Sequence, residues 1–356
     1  MTAHVKDGGA WKEVKEIHVK SEGAWLPAKS VHQKIDGSWV EIFKAAIEYI
    51  VSATTTHLDL STLFDPGDWA SDKDKIVTIP VGVVIGSTNG ALYNAIRTGT
   101  GRGGMLTLNV EGEVQGAYGA PGSSGGHAVW VEQAGVTINI AATGAIRGGG
   151  GGGGAGGAGG TGGQGSYSST VREPSSGEYY QSYVYTWSFH PDMYIRWAGV
   201  FIGYPAGTST TIGGYTYYQG SYRQSVVYSG NGIALYAIYR TYPTTAYSTG
   251  GAGGAGGAGG YGQGYNQVAT AGSGGAAGSA GGTNAGSGGT GGTGGAGGTW
   301  GVAGSAGATG ATGNTGNYTA GVAGSAGSAG GAAGRAIYLS AAATVNNNGT
   351  IQGAVA

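Results

Sequence analysis

GGAGGAGGAGGYGQGYN, residues 250–266, has the composition of a flexible linker and the spacing of a folded object. Ala252, Ala255, Ala258 and Tyr261 recur at every third position, with glycine between them. That period matches the polyproline II helix, which is left-handed, turns once in three residues and makes no internal hydrogen bonds. Glycine at two of every three positions strips two sides of such a helix of side chains. Neighbouring helices can then approach until backbone N–H meets backbone C=O and the polar main chain is satisfied without water. A solvated coil is the competing reading of one such run.

The chain carries six runs of this kind, at 148–165, 250–264, 271–282, 285–298, 301–313 and 321–334. At about 3.1 Å per residue they would be about 40–55 Å long. An even number of passes, alternately outward and back, returns the chain to its start. This path places 166–249, Thr283, Asn284 and 314–318 at the far end, with 265–270 and Trp300 at the base. Tyr261 and Tyr265 then become packing residues near the base.

The overall composition agrees with an unusual architecture. Glycine supplies 82 of 356 residues and charged residues only 10%, too little ordinary core material to fill the chain. A formal net charge of −1 offers no basic field to nucleic acid, and no Lys/Arg-rich amphipathic stretch addresses a membrane surface. Without cysteine there is neither a disulfide staple nor thiol chemistry. The start, MTAHVKDGGAWKEVK, lacks the apolar segment of a signal peptide, so synthesis in the cytoplasm is expected.

Residues 1–45 hold three 14-residue repeats, HVKDGGAWKEVKEI, HVKSEGAWLPAKSV and HQKIDGSWVEIFKA. Each alternates polar and apolar residues around a glycine turn, which predicts three β-hairpins. The register aligns His4, His18 and His32, and likewise Trp11, Trp25 and Trp39. So short a segment cannot bury three indoles by itself, and three equal units predict a pseudo-threefold cap whose tryptophans seek a partner. The three imidazoles can converge on such an axis as metal ligands, although repetition alone also puts them in register.

Residues 46–147 read as conventional β structure with strands ended by glycine. A short motif recurs as GEVQG (112–116), GAIRG (144–148) and GTIQG (349–353). Its third copy places 336–356 back on the same β platform, which makes the chain between an insertion rising from it. Within that insertion, 166–249 contains 16 of the 23 tyrosines. Tyrosine with serine and glycine is the composition of binding loops, because its ring offers a wide amphipathic surface with few rotors to freeze. The candidate recognition residues are Tyr179, Tyr180, Tyr183, Tyr185, Trp187, Tyr194, Trp197, Tyr215, Tyr217, Tyr218, Tyr222 and Tyr242, together with Tyr318. A small β subdomain whose tyrosines merely pack is the alternative.

Catalytic patterns are thin. His57, His127 and His190 have no acidic or nucleophilic partner at a familiar spacing, and no P-loop lysine motif occurs. DPGDWASDKDK, 65–75, carries four aspartates but misses the calcium-loop spacing, and is expected to be a solvated loop. No enzyme activity and no cofactor are expected.

Tandem tryptophan repeats, a β region, and glycine-rich runs separated by aromatic segments together resemble the distal tail-fibre adhesins of T-even-like phages. The resemblance covers most of the chain. It implies a mainly β and polyproline II protein with four parts. These are a fibre-attachment cap (1–45), a β platform (46–147 plus 336–356), an antiparallel polyproline II bundle (148–165 plus 250–335) and a Tyr-rich insertion at its tip (166–249). It further implies a single copy docked on a trimeric tail-fibre protein, and the three repeats predict that Trp11, Trp25 and Trp39 enter three equivalent fibre pockets. The tip then faces a bacterial outer-membrane protein or lipopolysaccharide glycan, at the distal end of a virion fibre. Three quasi-equivalent repeats in one chain suit a threefold fibre end and predict a monomer when free. Two other classes are weighed against it: an ice-binding polyproline II bundle, and a self-trimerising fibre or spike.

Overall fold

The computed structural model describes residues 4–7, 9–13, 17–21, 23–28, 30–44, 46–88, 94–173, 183–184, 195–197, 200–203, 209–228 and 231–356. The protein is mainly β, with one short α-helix, Pro66–Ala70, among the described residues.

Three separate two-stranded hairpins open the chain: His4–Asp7 with Ala10–Glu13, His18–Ser21 with Ala24–Pro27, and Ser30–Ile35 with Ser38–Lys44. Gly9, Gly23 and Gly37 take φ of 85–88° at the three turns, a region costly to any side chain. The register repeats with them, setting Lys6 opposite Trp11, Lys20 opposite Trp25 and Lys34 opposite Trp39.

From Ile47 the chain winds into a three-sided parallel β-helix. One side stacks Ile47–Ile50, Lys75–Ile79, Leu106–Val110, Val136–Ile140 and Ala343–Asn347; a second stacks Thr55–Thr56, Val84–Gly86, Glu113–Gln115, Ala145–Arg147 and Thr350–Gln352. The third stacks Leu58–Asp59, Ile96–Arg97, Val129–Val131 and Ile337–Leu339. Alternate residues point inward, so Val77, Leu108, Ile138 and Val345 form one apolar stack and Ile85, Val114, Ile146 and Ile351 another. Burial of each such side chain contributes about 1.5–3 kcal/mol. Outside, Asn346 donates to Asn139 (2.8 Å) and Asn139 to Asn109 (2.9 Å), a polar ladder in the same register.

The pentapeptide motif is the second side of successive rungs. Val114, Ile146 and Ile351 stack in register. The leading glycine of each copy turns a corner against backbone carbonyls of the preceding rung, of Pro80 and Val83 for Gly112, Val110 for Gly144 and Ala141 for Gly349. A Cβ there has no room.

Between Ala145–Arg147 and Ile337–Leu339 the chain leaves the β-helix and makes six long passes, 148–164, 250–263, 270–282, 285–298, 301–316 and 319–334. Their hydrogen bonds recur every three residues, as in Gly153 N–H to Gly260 O, Gly156 to Gly257 and Gly159 to Gly254, each 2.8 Å. Directions alternate: the first pass runs against the second, fourth and sixth and alongside the fifth. The pairings define two layers of three, with the second, first and sixth passes above the third, fourth and fifth. Only the first and fourth have four neighbours.

In the first-pass triplet 156–158 each N–H finds a different neighbour. Gly156 donates to Gly257 on the second pass, Gly157 to Ala308 on the fifth (2.9 Å), and Ala158 to the Ser325 hydroxyl of the sixth (2.8 Å). The third pass supplies hydroxyls to the second in the same way, Ser279 to Ala252 N–H and Ser273 to Ala258 N–H. At these turns serine caps a donor that no carbonyl reaches, and Thr319 and Thr270 do the same for Gln164 and Tyr261.

A loop of the third rung, 117–126, adds a short extra layer at the base. Gly119 donates to Gly150 (2.8 Å), Gly152 to Ser123 (2.9 Å) and Gly125 to Ala332 (2.9 Å). Covered there on every side, the first pass has glycine at all of 148–154, each buried, and the first exposed residue, Ala155, comes where this layer ends.

Candidate functional site

Two surfaces lie at structurally distinct places. On the hairpins, Trp25 is 67% exposed and Trp39 71%, a large aromatic surface in contact with water. Trp11 occupies the equivalent register position on its strand. His18 and His32 are exposed on separate hairpins and His4 lies on the first. Among the described residues no group of three His, Cys, Asp or Glu side chains is arranged to hold a metal ion.

At the far end of the bundle the strand Gly165–Glu173 leaves the first pass and pairs antiparallel with Asn231–Ser248, which re-enters at the second. Tyr215–Tyr228 and Ser209–Ile212 extend this sheet on the other side. The turns of the bundle fasten its root. Ser166 N–H donates to Asn317 Oδ1 (2.6 Å), Asn284 and Asn317 each donate to Ser166 O (2.9 Å), and the Ser248 hydroxyl donates to Thr283 O (2.6 Å).

Tyr318 stands beside Tyr247 there, ring centroids 4.6 Å apart, and both are more than half exposed. Their hydroxyls are hydrogen-bonded, which raises the Tyr247 phenol above its usual range. An open cavity of about 560 Å³ lies alongside, lined by Ser166, Tyr167, Ser168, Pro243, Thr244, Thr245 and Asn284, without a charged group.

Further out, one face of the sheet gathers Tyr215, Tyr217 and Tyr242 around an ion pair. Arg240 grips Glu173 through Nε (2.9 Å) and Nη2 (2.7 Å), and its guanidinium stacks on Tyr215 at 4.1 Å. Burial pulls the Arg240 pKa down, but the bonds and charges of Tyr217 and Glu173 outweigh it and hold it above the ordinary value. On the opposite face Tyr218 stacks on Tyr239 at 4.8 Å, with Arg172 over Tyr239.

The candidate recognition residues are therefore spread unevenly. Tyr318 is exposed and Tyr215, Tyr218 and Tyr242 are half-buried. Tyr217 differs from them: it is 2% exposed, lies opposite Arg240 and accepts from its Nη1 (3.4 Å). Tyr183, Trp197 and Tyr222 lie on strands. Tyr179, Tyr180, Tyr185, Trp187 and Tyr194 lie outside the described residues, as does the 190–192 turn with His190.

Other sequence candidates serve the scaffold. Tyr261 meets Tyr118 edge-on at 5.9 Å, and the Tyr265 ring lies over Gly86, both at the base. His127 Nδ1 accepts from Arg335 N–H (2.8 Å), and burial, then the Arg335 charge, lower its pKa. His57 Nε2 lies 2.9 Å from the Thr88 hydroxyl. The aspartate-rich loop is more than solvated chain. Lys75 is fully buried within it, its ammonium donating to the carbonyls of Ser71 (2.5 Å), Lys73 (2.6 Å) and Gly103 (2.9 Å) and so tying the loop together.

A family model described as phage tail fibre adhesin Gp38 matches residues 46–240, more than half of the chain. The chain belongs to that family. As a phage tail fibre adhesin it is a virion component concerned with host recognition. Among solved structures, the crystal structure of the gp37-gp38 adhesin tip complex of the bacteriophage S16 long tail fiber is similar at 16% identity. The match covers 88% of this chain and 83% of that one, with a TM-score of 0.33. No curated protein sequence matches the adhesin.

Proposed function

We propose that this adhesin docks on a trimeric tail fibre through its three hairpins and presents the sheet at the far end of the bundle to a receptor on the bacterial outer membrane. In this reading Trp11, Trp25 and Trp39 enter three equivalent fibre pockets, and one adhesin, monomeric when free, caps one fibre. The three-residue hydrogen-bonding period supports reading the six passes as polyproline II helices.

The observation that carries the receptor end is the bundle itself. The fourth pass, 285–298, spans about 40 Å at about 3.1 Å per residue. Every second turn of the chain therefore comes together, far from the β-helix, around the root of one Tyr-rich sheet. Loops held on a rigid scaffold are where recognition concentrates. Tyr318 and Tyr247 supply exposed rings at the root of the sheet, and the Arg240–Glu173 pair braces the sheet further out. Exchanging residues 170–246 between related phages and scoring host range tests this; a host range that stays with the rest of the chain would sink it.

A further inference from the structure

We infer that the free edge of the strand Gly165–Glu173 is a template for strand addition, and that its occupant is an extended segment of the receptor polypeptide. This rests on the distal sheet being the receptor end. Among the described residues the strand pairs on one side only, with Asn231–Ser248. Ser166 N–H faces the other way, where Asn317 Oδ1 accepts it. The two-residue alternation of antiparallel pairing then turns the N–H and C=O of Ser168 and Thr170 to the same open side.

Asn284 and Asn317 show what that edge accepts. Their side-chain amides give Ser166 O two donors, each at 2.9 Å, and Asn317 also takes the Ser166 N–H, as a neighbouring peptide unit would. The first position of the edge is thus closed by a stand-in strand, and among the described residues no strand covers the next two. Residues 168–171, Ser-Ser-Thr-Val, carry neither charge nor proline, the usual protections of an exposed edge, which come only at the strand's outer end with Arg172, Glu173 and Pro174.

The uncharged cavity lies against the same strand, lined by Ser166, Tyr167 and Ser168 and across from them by Thr244 and Thr245. An added strand contributes main-chain bonds along the edge and drops alternate side chains into such a recess. Successive open groups on the edge repeat at about 6.8 Å, two residues of extended chain. A polypeptide matches that repeat and polarity; a sugar chain does not.

Proline at an outward-facing edge position is compatible with a sheet but blocks an incoming strand. Ser168→Pro and Thr170→Pro in the full chain are therefore measured for binding to outer-membrane vesicles from a susceptible host, beside Ser168→Ala and Thr170→Ala. The proline variants should bind at least about tenfold more weakly and the alanine variants within about threefold, since only the former lose the amide. In the wild-type chain, hydrogen exchange of the amides at 168 and 170 should slow on adding vesicles, a readout independent of whether the prolines disturb folding. Proteinase-treated vesicles should not bind. Undiminished binding by folded proline variants, unchanged exchange, or binding that survives proteinase overturns strand addition. Vesicle binding unaffected by deleting 166–249 instead overturns the receptor-end reading beneath it.

Discussion

Gly156→Ala is the sharpest test of how the bundle is held. Gly156, on the first pass, faces the fourth, and a Cβ there would lie 2.6 Å from Gly292 C and 2.9 Å from Thr293 C, and closer still to Gly292 O. All are backbone atoms, so nothing swings aside and the two passes must part by on the order of 1 Å to reach ordinary contact. The bond from Gly292 N–H to Gly157 O, now 2.8 Å, would stretch beyond useful length. Overpacking costs about 1–3 kcal/mol and each strained bond about 1 kcal/mol more, for a total of about 2–5 kcal/mol. At about 4–8 °C per kcal/mol for about 100 cooperative residues, calorimetry of the full chain should show the bundle transition about 10 °C or more lower. Ala155→Ser and Ala158→Ser point into solvent and should stay within about 0.5 kcal/mol of wild type. A Gly156→Ala protein that melts with wild type would refute close packing of the passes.

The extra basal layer predicts a rescue. Gly152→Ala, whose Cβ would strike Ala120 O, should destabilise much as Gly156→Ala does, and the penalty should largely vanish when 118–125 is replaced by a short turn; calorimetry of the double-mutant cycle reads it. Simultaneous Trp11→Ala, Trp25→Ala and Trp39→Ala should abolish attachment to the fibre in a pull-down while leaving the bundle transition unchanged, and retained attachment counts against the docking mode. His127 gives a pH dependence. Its folded pKa lies below the ordinary histidine value of about 6.5, so the folded state releases the proton more readily than the unfolded one. Stability is therefore full above about pH 6.5 and lost as pH falls through the folded pKa. Thermal melts from pH 7.5 to 5 should show that loss in wild type and less of it in His127→Gln.

The glycine spacing was readable because it reports contact geometry directly. Two bare positions per turn announce neighbours on two sides, and the uninterrupted 148–154 announces neighbours all round, which is where the 117–126 loop packs. That loop itself hid from a reading of long runs, since AYGAPGSSGG is too short to show a period. The recurrence of GEVQG, GAIRG and GTIQG pointed to one shared platform, but not to its three-sided winding. Successive rungs are about 30 residues apart, with loops of unequal length, and the last stands beyond the whole insertion, so the period is broken. At the distal end, tyrosine content marked the region without sorting its residues. Tyr217 and Tyr318 look alike in sequence; cross-strand register buries the first against Arg240, and a bundle turn exposes the second. Lys75 was equally opaque, since only the folded loop brings the Ser71, Lys73 and Gly103 carbonyls together.

The claim that recognition resides in the sheet at the end of the bundle is tested most directly by competition for adsorption. Gly165 and Ser248 are paired at its root, so 166–247 can be replaced by a short turn without parting the first and second passes. Purified wild-type adhesin should block adsorption of the phage to susceptible cells, whereas the shortened chain, with its bundle transition intact, should not. Equal blocking by both proteins would contradict the account.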